Sequence, residues 1–264
     1  MYALRLGGRH PQVQQDESSN VFADDFDDND FIIDRCHETL GAIDHLLDRP
    51  ASHQDRFRWP QFVLKHHLYT VITDRCQVDH DIEQLQARNV IRLIRIDRIP
   101  PSPLIIIIKT RDLANVLHQK APSSLITSSF IKILPKCCKT EISRAELVHC
   151  MKDGNSSITE LLDQGLVVNL DDTTLRFSIP ECGRLVHNLI QGRLELVMLI
   201  KRRKQSSSRL LTAVSKLKLK KSTLTSEFIV QDLLALGVLE RSWSSLPKDS
   251  TDPVIVIGDE SIII

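Results

Sequence analysis

The chain has 264 residues, of which 42% are hydrophobic, and its 34 basic side chains equal its 34 acidic ones in number. This hydrophobic share excludes a disordered protein, and the length predicts two or three small domains. The aliphatic runs at residues 104–108 and 262–264 are too short to span a bilayer, so we expect a soluble, intracellular protein without a membrane partner.

Acidic side chains are concentrated near the N-terminus. Residues 16–34 contain eight acids and neither lysine nor arginine. Such a segment is typical of a solvated acidic tail. We therefore predict a disordered acidic tail over residues 1–30.

A pattern of a helix followed by a strand occurs three times, at a spacing of about 75 residues. The three copies lie at residues 81–91, 157–167 and 229–239. Asn89, Gly165 and Gly237 end the helices, since these residue types tolerate the left-handed conformation found just after a helix. Polar or proline-containing turns then lead into second strands at residues 105–109, 174–179 and 254–257, which predicts three hairpins.

A shorter helix precedes each repeated helix. The clearest start is Ser143 with Glu146, which fits a capping box, and Ser157 with Glu160 has the same spacing. Two helices followed by a hairpin predict a winged helix-turn-helix. We therefore predict an α+β protein of three tandem winged-helix domains, over residues 31–120, 121–204 and 205–264, with a long connecting helix over residues 181–204.

Basic side chains are concentrated late in the chain. Residues 201–221 contain nine bases, and residues 196–226 contain no acid. Cations at the C-terminal end of the long helix complement its dipole, but this explains only one or two of them. Alternate lysines between Lys216 and Lys220 predict either a strand with one cationic face or a solvated edge. A polyanion is the expected partner.

The other features of the sequence favour duplex DNA without sequence-specific recognition. Aromatic residues make up 5% of the chain and are scattered, which argues against the stacking platforms of single-strand binders. Acidic side chains on the first two repeated helices suggest that those helices are structural. The six cysteines have no C-x-x-C spacing, so we expect neither disulfides nor a metal site, and we interpret His66 and His67 as core or surface residues.

The chain resembles the family named serine/threonine-protein kinase 19 from about Phe31 to the C-terminus. The resemblance is carried by residues 69–75, 82–91 and 230–233 and by the segment from Gly192-Arg193 to Lys204. It implies three winged-helix domains, DNA binding, the capacity to form a homodimer, and a nuclear role in transcription-coupled nucleotide excision repair. His187 departs from a basic position of the family, and the acidic tail replaces the basic leader of some members. The segment of residues 201–204 is an alternative nuclear localisation signal.

The charge pattern and the resemblance together give one set of DNA-binding residues. Its members are Arg193, Lys201, Arg202, Arg203, Lys204, Lys216, Lys218, Lys220 and Lys221. We predict a non-catalytic nuclear factor that binds double-stranded DNA, together with repair or transcription complex proteins, and that uses no cofactor.

Two alternatives remain. In the first, the modules form a protein-interaction scaffold, and the basic segment meets an acidic protein or the acidic tail of the same chain. In the second, the chain is a protein kinase. The kinase reading lacks the glycine-rich phosphate loop, the paired lysine and glutamate and the catalytic and metal-binding aspartates of that class.

Overall fold

A computed structural model describes most of the chain beyond the acidic tail. The described residues are 36–49, 51, 59–97, 99, 103–120, 124–151, 155–203, 209–243 and 252–259. The predicted tail of residues 1–30 and Lys204 lie outside them. The chain has the predicted α+β fold of helices and small antiparallel sheets.

The first unit places a helix, a short strand, two helices and a hairpin in that order. Its elements are α1 (His37–Leu47), β1 (Val63–Leu64), α2 (Lys65–Leu68), α3 (Arg75–Ala87), β2 (Ile91–Ile96) and β3 (Leu104–Lys109). The sheet has the order β1-β3-β2. Asp74 caps α3 by accepting a hydrogen bond from the backbone N–H of Gln77. Asn89 has a φ of 58°, which confirms the predicted left-handed residue after the helix.

The second unit has the same order, except that two helices precede its first strand. Its elements are α4 (Thr110–Lys120), α5 (Leu125–Ile133), β4 (Glu141–Ser143), α6 (Arg144–Cys150), α7 (Asn155–Asp163), β5 (Val167–Asn169) and β6 (Thr174–Phe177), with the sheet order β4-β6-β5. Ser143 caps α6 as predicted. The predicted cap at Ser157 is wrong, because α7 begins two residues earlier and buries Ser157. Gly165 has the predicted positive φ, at 70°.

The third unit begins with the long helix. Its elements are α8 (Cys182–Lys201), α9 (Leu211–Ser215), α10 (Ser226–Ala235), β7 (Leu239–Ser242) and β8 (Val254–Ile257). Leu210 forms an isolated bridge with Val254, so it occupies the place that a first strand has in the other two units. Gly237 has a φ of 74°. All three predicted hairpins are present as antiparallel pairs.

The apolar core does not divide into three parts. A small cluster lies within the first unit, around Ile43 and Ile107. A larger cluster contains Phe62, Phe130, Leu196 and Ile255 and so draws on all three units. The predicted domain boundaries therefore remain predictions. Among the described residues, no helix combines the length and apolar character needed to cross a membrane.

Candidate nucleic-acid interface

The basic segment comprises the C-terminal end of α8 and a loop between α9 and α10. At the end of α8, Lys201 and Arg202 are exposed and Arg203 is half-buried. Arg209 donates from Nε to the backbone oxygen of Arg203 at 2.9 Å. This hydrogen bond connects the residue before Leu210, which forms the isolated bridge, to the end of α8. Lys204 lies outside the described residues.

Two polar side chains of α8 hold the loop of residues 216–225 by its backbone. The carboxylate of Glu195 accepts from the backbone N–H groups of Lys220, at 2.9 and 3.0 Å, and of Lys221, at 2.8 Å. Asn188 Oδ1 accepts from the backbone N–H of Thr223 at 2.8 Å. Asn188 and Glu195 are seven residues apart and therefore lie on one face of the helix. Glu195 is itself buried, and its carboxylate is engaged by these backbone N–H groups.

Gly192 lies between these two residues and allows the close approach. A Cβ atom at this position would lie 2.9 Å from Cδ1 of Ile229 and 3.1 Å from Oγ of Ser222. A larger residue would require the side chains of Ile229 and Ser222 to shift. Glycine at this position therefore lets these two side chains lie directly against the helix.

The contacts also fix the direction of the loop. Lys220 pairs with Glu195, and Thr223 pairs with Asn188, so the loop runs antiparallel to α8. Seven helical residues rise about 10 Å, and three extended residues span about the same length. Continued at this pitch, the loop before Lys220 leads toward the end of α8 at Lys201. This direction carries the exposed lysines of the loop toward the cations at the end of the helix.

The lysines of this loop alternate in exposure with leucines. Lys216, Lys218 and Lys220 are exposed, whereas Leu217 and Leu219 are half-buried and pack against the larger core cluster. Lys221 is exposed as well. Of the two predicted alternatives, the strand is wrong, because these residues pair with no strand among those described. The predicted alternation of exposed lysines and half-buried leucines is nevertheless present, because Leu217 and Leu219 pack against the larger core cluster.

Arg193 does not belong to this surface. Its prediction as a DNA-contacting residue on the polar side of the long helix is wrong, because its exposed fraction is 0%. Its Nε donates to Oδ2 of Asp232 at 2.6 Å, and its Nη2 donates to Oδ1 at 2.9 Å. Both carboxylate oxygens are thereby engaged by one guanidinium, which is the geometry of a strong bidentate pair.

Two histidines of the first unit complete this buried cluster. His66 Nε2 lies 2.7 Å from Oδ1 of Asp232, and His67 Nε2 lies 3.7 Å from the same atom, too far for a hydrogen bond. Burial lowers the pKa of His67 to about 4, despite the attraction of the carboxylate. Burial opposes ionisation of Asp232, but the charge of Arg193 and the hydrogen bond from His66 outweigh it and hold the pKa well below its usual value.

This cluster also has the donor types of a metal site. The ligand atoms of His66, His67 and Asp232 lie within 4.8 Å of one another. However, Arg193 already occupies both carboxylate oxygens, and a divalent cation would lie against that guanidinium in a buried site. The cluster therefore fits an ion pair that joins the first and third units better than a metal centre.

Sequence reasoning did not find the residues that organise this region. Asp232 lies between Val230 and Leu233 on the buried side of α10, and an acid in that place signals a buried partner. Glu195 is the last acid before the long acid-free stretch. Its role in holding the lysine loop depends on a contact across 25 residues, which no local pattern indicates.

A comparison with protein families identifies the chain. The model of the family described as inactive serine-threonine protein kinase 19 matches residues 50–227, about two thirds of the chain. The chain belongs to this family. The match includes all of residues 201–221 and ends within α10. The family's description as inactive is consistent with the prediction that the chain is not a kinase.

Three relatives share the name winged helix repair factor 1. The Xenopus laevis protein is 26% identical over 78% of this chain and 80% of its own length. The Dictyostelium discoideum protein is 29% identical over 50% of this chain and 35% of its own length, and the Homo sapiens protein is 21% identical over 55% and 58%. This member of the inactive serine-threonine protein kinase 19 family thus spans about a third of the Dictyostelium relative.

Proposed function

We propose that this protein is a non-catalytic factor that binds double-stranded DNA without sequence specificity. The observation that carries the proposal is the antiparallel seating of the lysine loop on α8, held by Glu195 and Asn188. The loop runs back along α8 toward the cations at the helix end, and the acid that holds its backbone, Glu195, is buried and hydrogen-bonded. Duplex DNA presents regularly spaced phosphates to such a surface.

We further propose that each unit is a winged helix. In support, the order helix, strand, helix, helix and hairpin recurs, and the first two sheets share one topology. The name of the relatives agrees. In the third unit, α10 packs against the first unit through Asp232 and through Gln231, which donates to Thr70. We therefore assign DNA contact to the flanking basic segment instead of a helix inserted into the major groove.

We place this activity in nuclear DNA repair, with repair or transcription complex proteins as partners. The support is the name of the relatives, which describes them as repair factors. The finer role in transcription-coupled nucleotide excision repair, and the capacity to form a homodimer, rest on the family resemblance alone.

Fluorescence anisotropy on random-sequence duplex DNA, measured across salt concentrations, tests the proposal. Each phosphate contact contributes about 0.9 to the slope of log affinity against log salt, so six contacts give a slope of about −5. The double variants Lys201→Glu with Arg202→Glu, and Lys218→Glu with Lys220→Glu, should each weaken binding and make the slope shallower by about 2.

The matched control is Lys136→Glu with Lys139→Glu. Both lysines are exposed and lie outside the basic segment, and the change in net charge is the same. This control should change affinity much less. If all three double variants weaken binding equally, net charge and not the assigned surface controls binding, and the assignment is wrong.

A protein-interaction scaffold is the second candidate, and one feature of the second unit favours it. Leu125 is 80% exposed, and Val168 and Leu170, at the hairpin, are also exposed. An exposed apolar patch is typical of a contact site for a protein partner, and the neighbouring positions of Val168 and Leu170 on one hairpin are the candidate for such a patch. Absence of DNA binding by the unmodified protein at low salt would favour this candidate.

A further inference from the structure

A groove in the third unit lies beside the lysine loop. Its volume is about 570 Å³, within the range of roughly 300 to 1,000 Å³ typical of ligand pockets. The walls come from α9, α10 and the hairpin of the third unit. The apolar lining consists of Leu211, Val230, Leu234, Trp243 and Pro253.

Trp243 gives this groove an open aromatic face. It follows β7 directly, and 59% of its surface is exposed. An exposed indole is uncommon unless it meets a partner, because burying an aromatic side chain is strongly favourable. Here the indole lines a groove and is not isolated on a convex surface.

The groove is also lined by basic side chains. Arg49, Lys216 and Arg241 line the groove, and Glu227 is the acid among its lining residues. Glu227 pairs with Arg49 at 3.3 Å, which leaves Lys216 and Arg241 as the excess positive charge. An apolar floor, an aromatic face and two cations together suit a flat aromatic ring that carries phosphate.

We propose that this groove binds an unpaired nucleobase of DNA, with the base stacked on Trp243 and its flanking phosphates held by Lys216 and Arg241. The proposal rests on the proposed DNA binding and adds the preferred substrate class, a duplex with a single-stranded end or an unpaired base. Lys216 is both the first lysine of the loop and a lining residue of the groove. Lys216 therefore links the proposed duplex-binding surface to the groove.

The first experiment compares a blunt duplex with the same duplex carrying a single-stranded thymidine overhang. The unmodified protein should prefer the overhang. Stacking of one base on an aromatic side chain is worth about 1–3 kcal/mol, so Trp243→Ala should reduce affinity for the overhang on the order of tenfold or more. Binding to the blunt duplex should stay unchanged, and Trp243→Phe should retain part of the preference. Leu125→Ala removes another exposed apolar side chain and should change neither affinity.

A second experiment measures the fluorescence of Trp243 and does not depend on duplex binding. The chain has two tryptophans, so a Trp59→Phe variant leaves Trp243 as its one indole. A single-stranded thymidine oligonucleotide should quench its fluorescence. Quenching without duplex binding would overturn the proposed function and keep the groove as a nucleobase site.

Three results would overturn the groove proposal. The first is an overhang preference that survives in Trp243→Ala. The second is an oligonucleotide that leaves the fluorescence unchanged while the duplex binds. The third is quenching by a peptide with the sequence of residues 16–34 but not by the oligonucleotide, which would make the groove a site for an acidic peptide.

Discussion

Arg193 and Asp232 form the most buried ion pair among the described residues, and neither side chain has exposed surface. Burying two charges costs desolvation free energy. Removing one partner destabilises the protein further, because it leaves an uncompensated charge in the core. The position of this pair between α8 and α10, with His66 of α2 as a third member, makes it a connection between units. Arg193 thus has a structural role and is not part of the exposed basic segment.

A double-mutant cycle tests this role. We expect Arg193→Leu and Asp232→Leu each to lower the free energy of unfolding by about 3–5 kcal/mol, and the double variant to cost clearly less than their sum. Urea unfolding measures all three. Arg184→Leu is the control, because Arg184 lies on the same helix in an exposed pair with Glu181, and it should cost under about 1 kcal/mol. Additive losses would show that the two residues do not act as a pair.

The depressed pKa of His67 makes stability depend on pH. The unfolded histidine takes up a proton near pH 6.5, whereas the native one does so near pH 4. Between these values the unfolded state binds more protons, so the free energy of unfolding falls with falling pH, by about 1.4 kcal/mol per pH unit. The free energy of unfolding therefore falls at pH values above those at which most carboxylates take up protons.

We expect urea unfolding to give a value roughly 2 kcal/mol lower at pH 5 than at pH 7 from this residue alone. His67→Gln should remove this part of the pH dependence, even though it also lowers stability at neutral pH. His149→Gln, at an exposed position, should leave the dependence as it is. An unchanged pH profile in His67→Gln would contradict the assignment.

At the scale of elements, α8 and the loop on it show where sequence reasoning succeeds and fails. The long helix, the three hairpins and the left-handed residues Asn89, Gly165 and Gly237 were all predictable, because each depends on local periodicity or on one backbone conformation. The seating of the loop was not, since it depends on hydrogen bonds from Asn188 and Glu195 to distant backbone groups. The burial of Arg193 was missed for the same reason.

The seating of the loop predicts a residue-specific change in amide exchange. Glu195→Ala should speed hydrogen exchange at Lys220 and Lys221 on the order of 10- to 100-fold, because a hydrogen bond to a charged group is worth about 1.5–3 kcal/mol. Asn188→Ala should instead act at Thr223. Glu146→Ala, an exposed acid of α6, should alter none of these three amides. Unchanged exchange in Glu195→Ala would contradict the proposed anchor.

At the scale of the whole molecule, the two charged regions are connected by one chain. The acids of residues 16–34 and the bases of residues 201–221 have opposite sign, and tethering gives the acidic segment a high effective concentration at the basic surface. We therefore expect the acidic segment to compete with DNA for the basic surface. The sequence alone suggests this competition, while the described residues give the surface for which both compete.

Deletion of residues 1–30 should therefore raise affinity for duplex DNA, and the gain should shrink as salt rises, since screening weakens both interactions. Salt-resolved anisotropy measures this. A full-length variant with the acids of residues 16–30 changed to their amides should behave like the deletion, which separates charge from chain length. Equal affinity of the deletion and the unmodified protein would exclude competition by the tail.

The contact between His66 and Asp232 has a consequence for how the protein is made. The two residues are 166 positions apart, and both are buried in the finished structure. At about 5–20 residues per second, a ribosome delivers Asp232 roughly 8 to 33 seconds after His66. During that interval the surface of the first unit that α10 will cover, which includes Phe62 as well as His66, has no helix packed on it. This part of the fold is completed only after α10 has been synthesised.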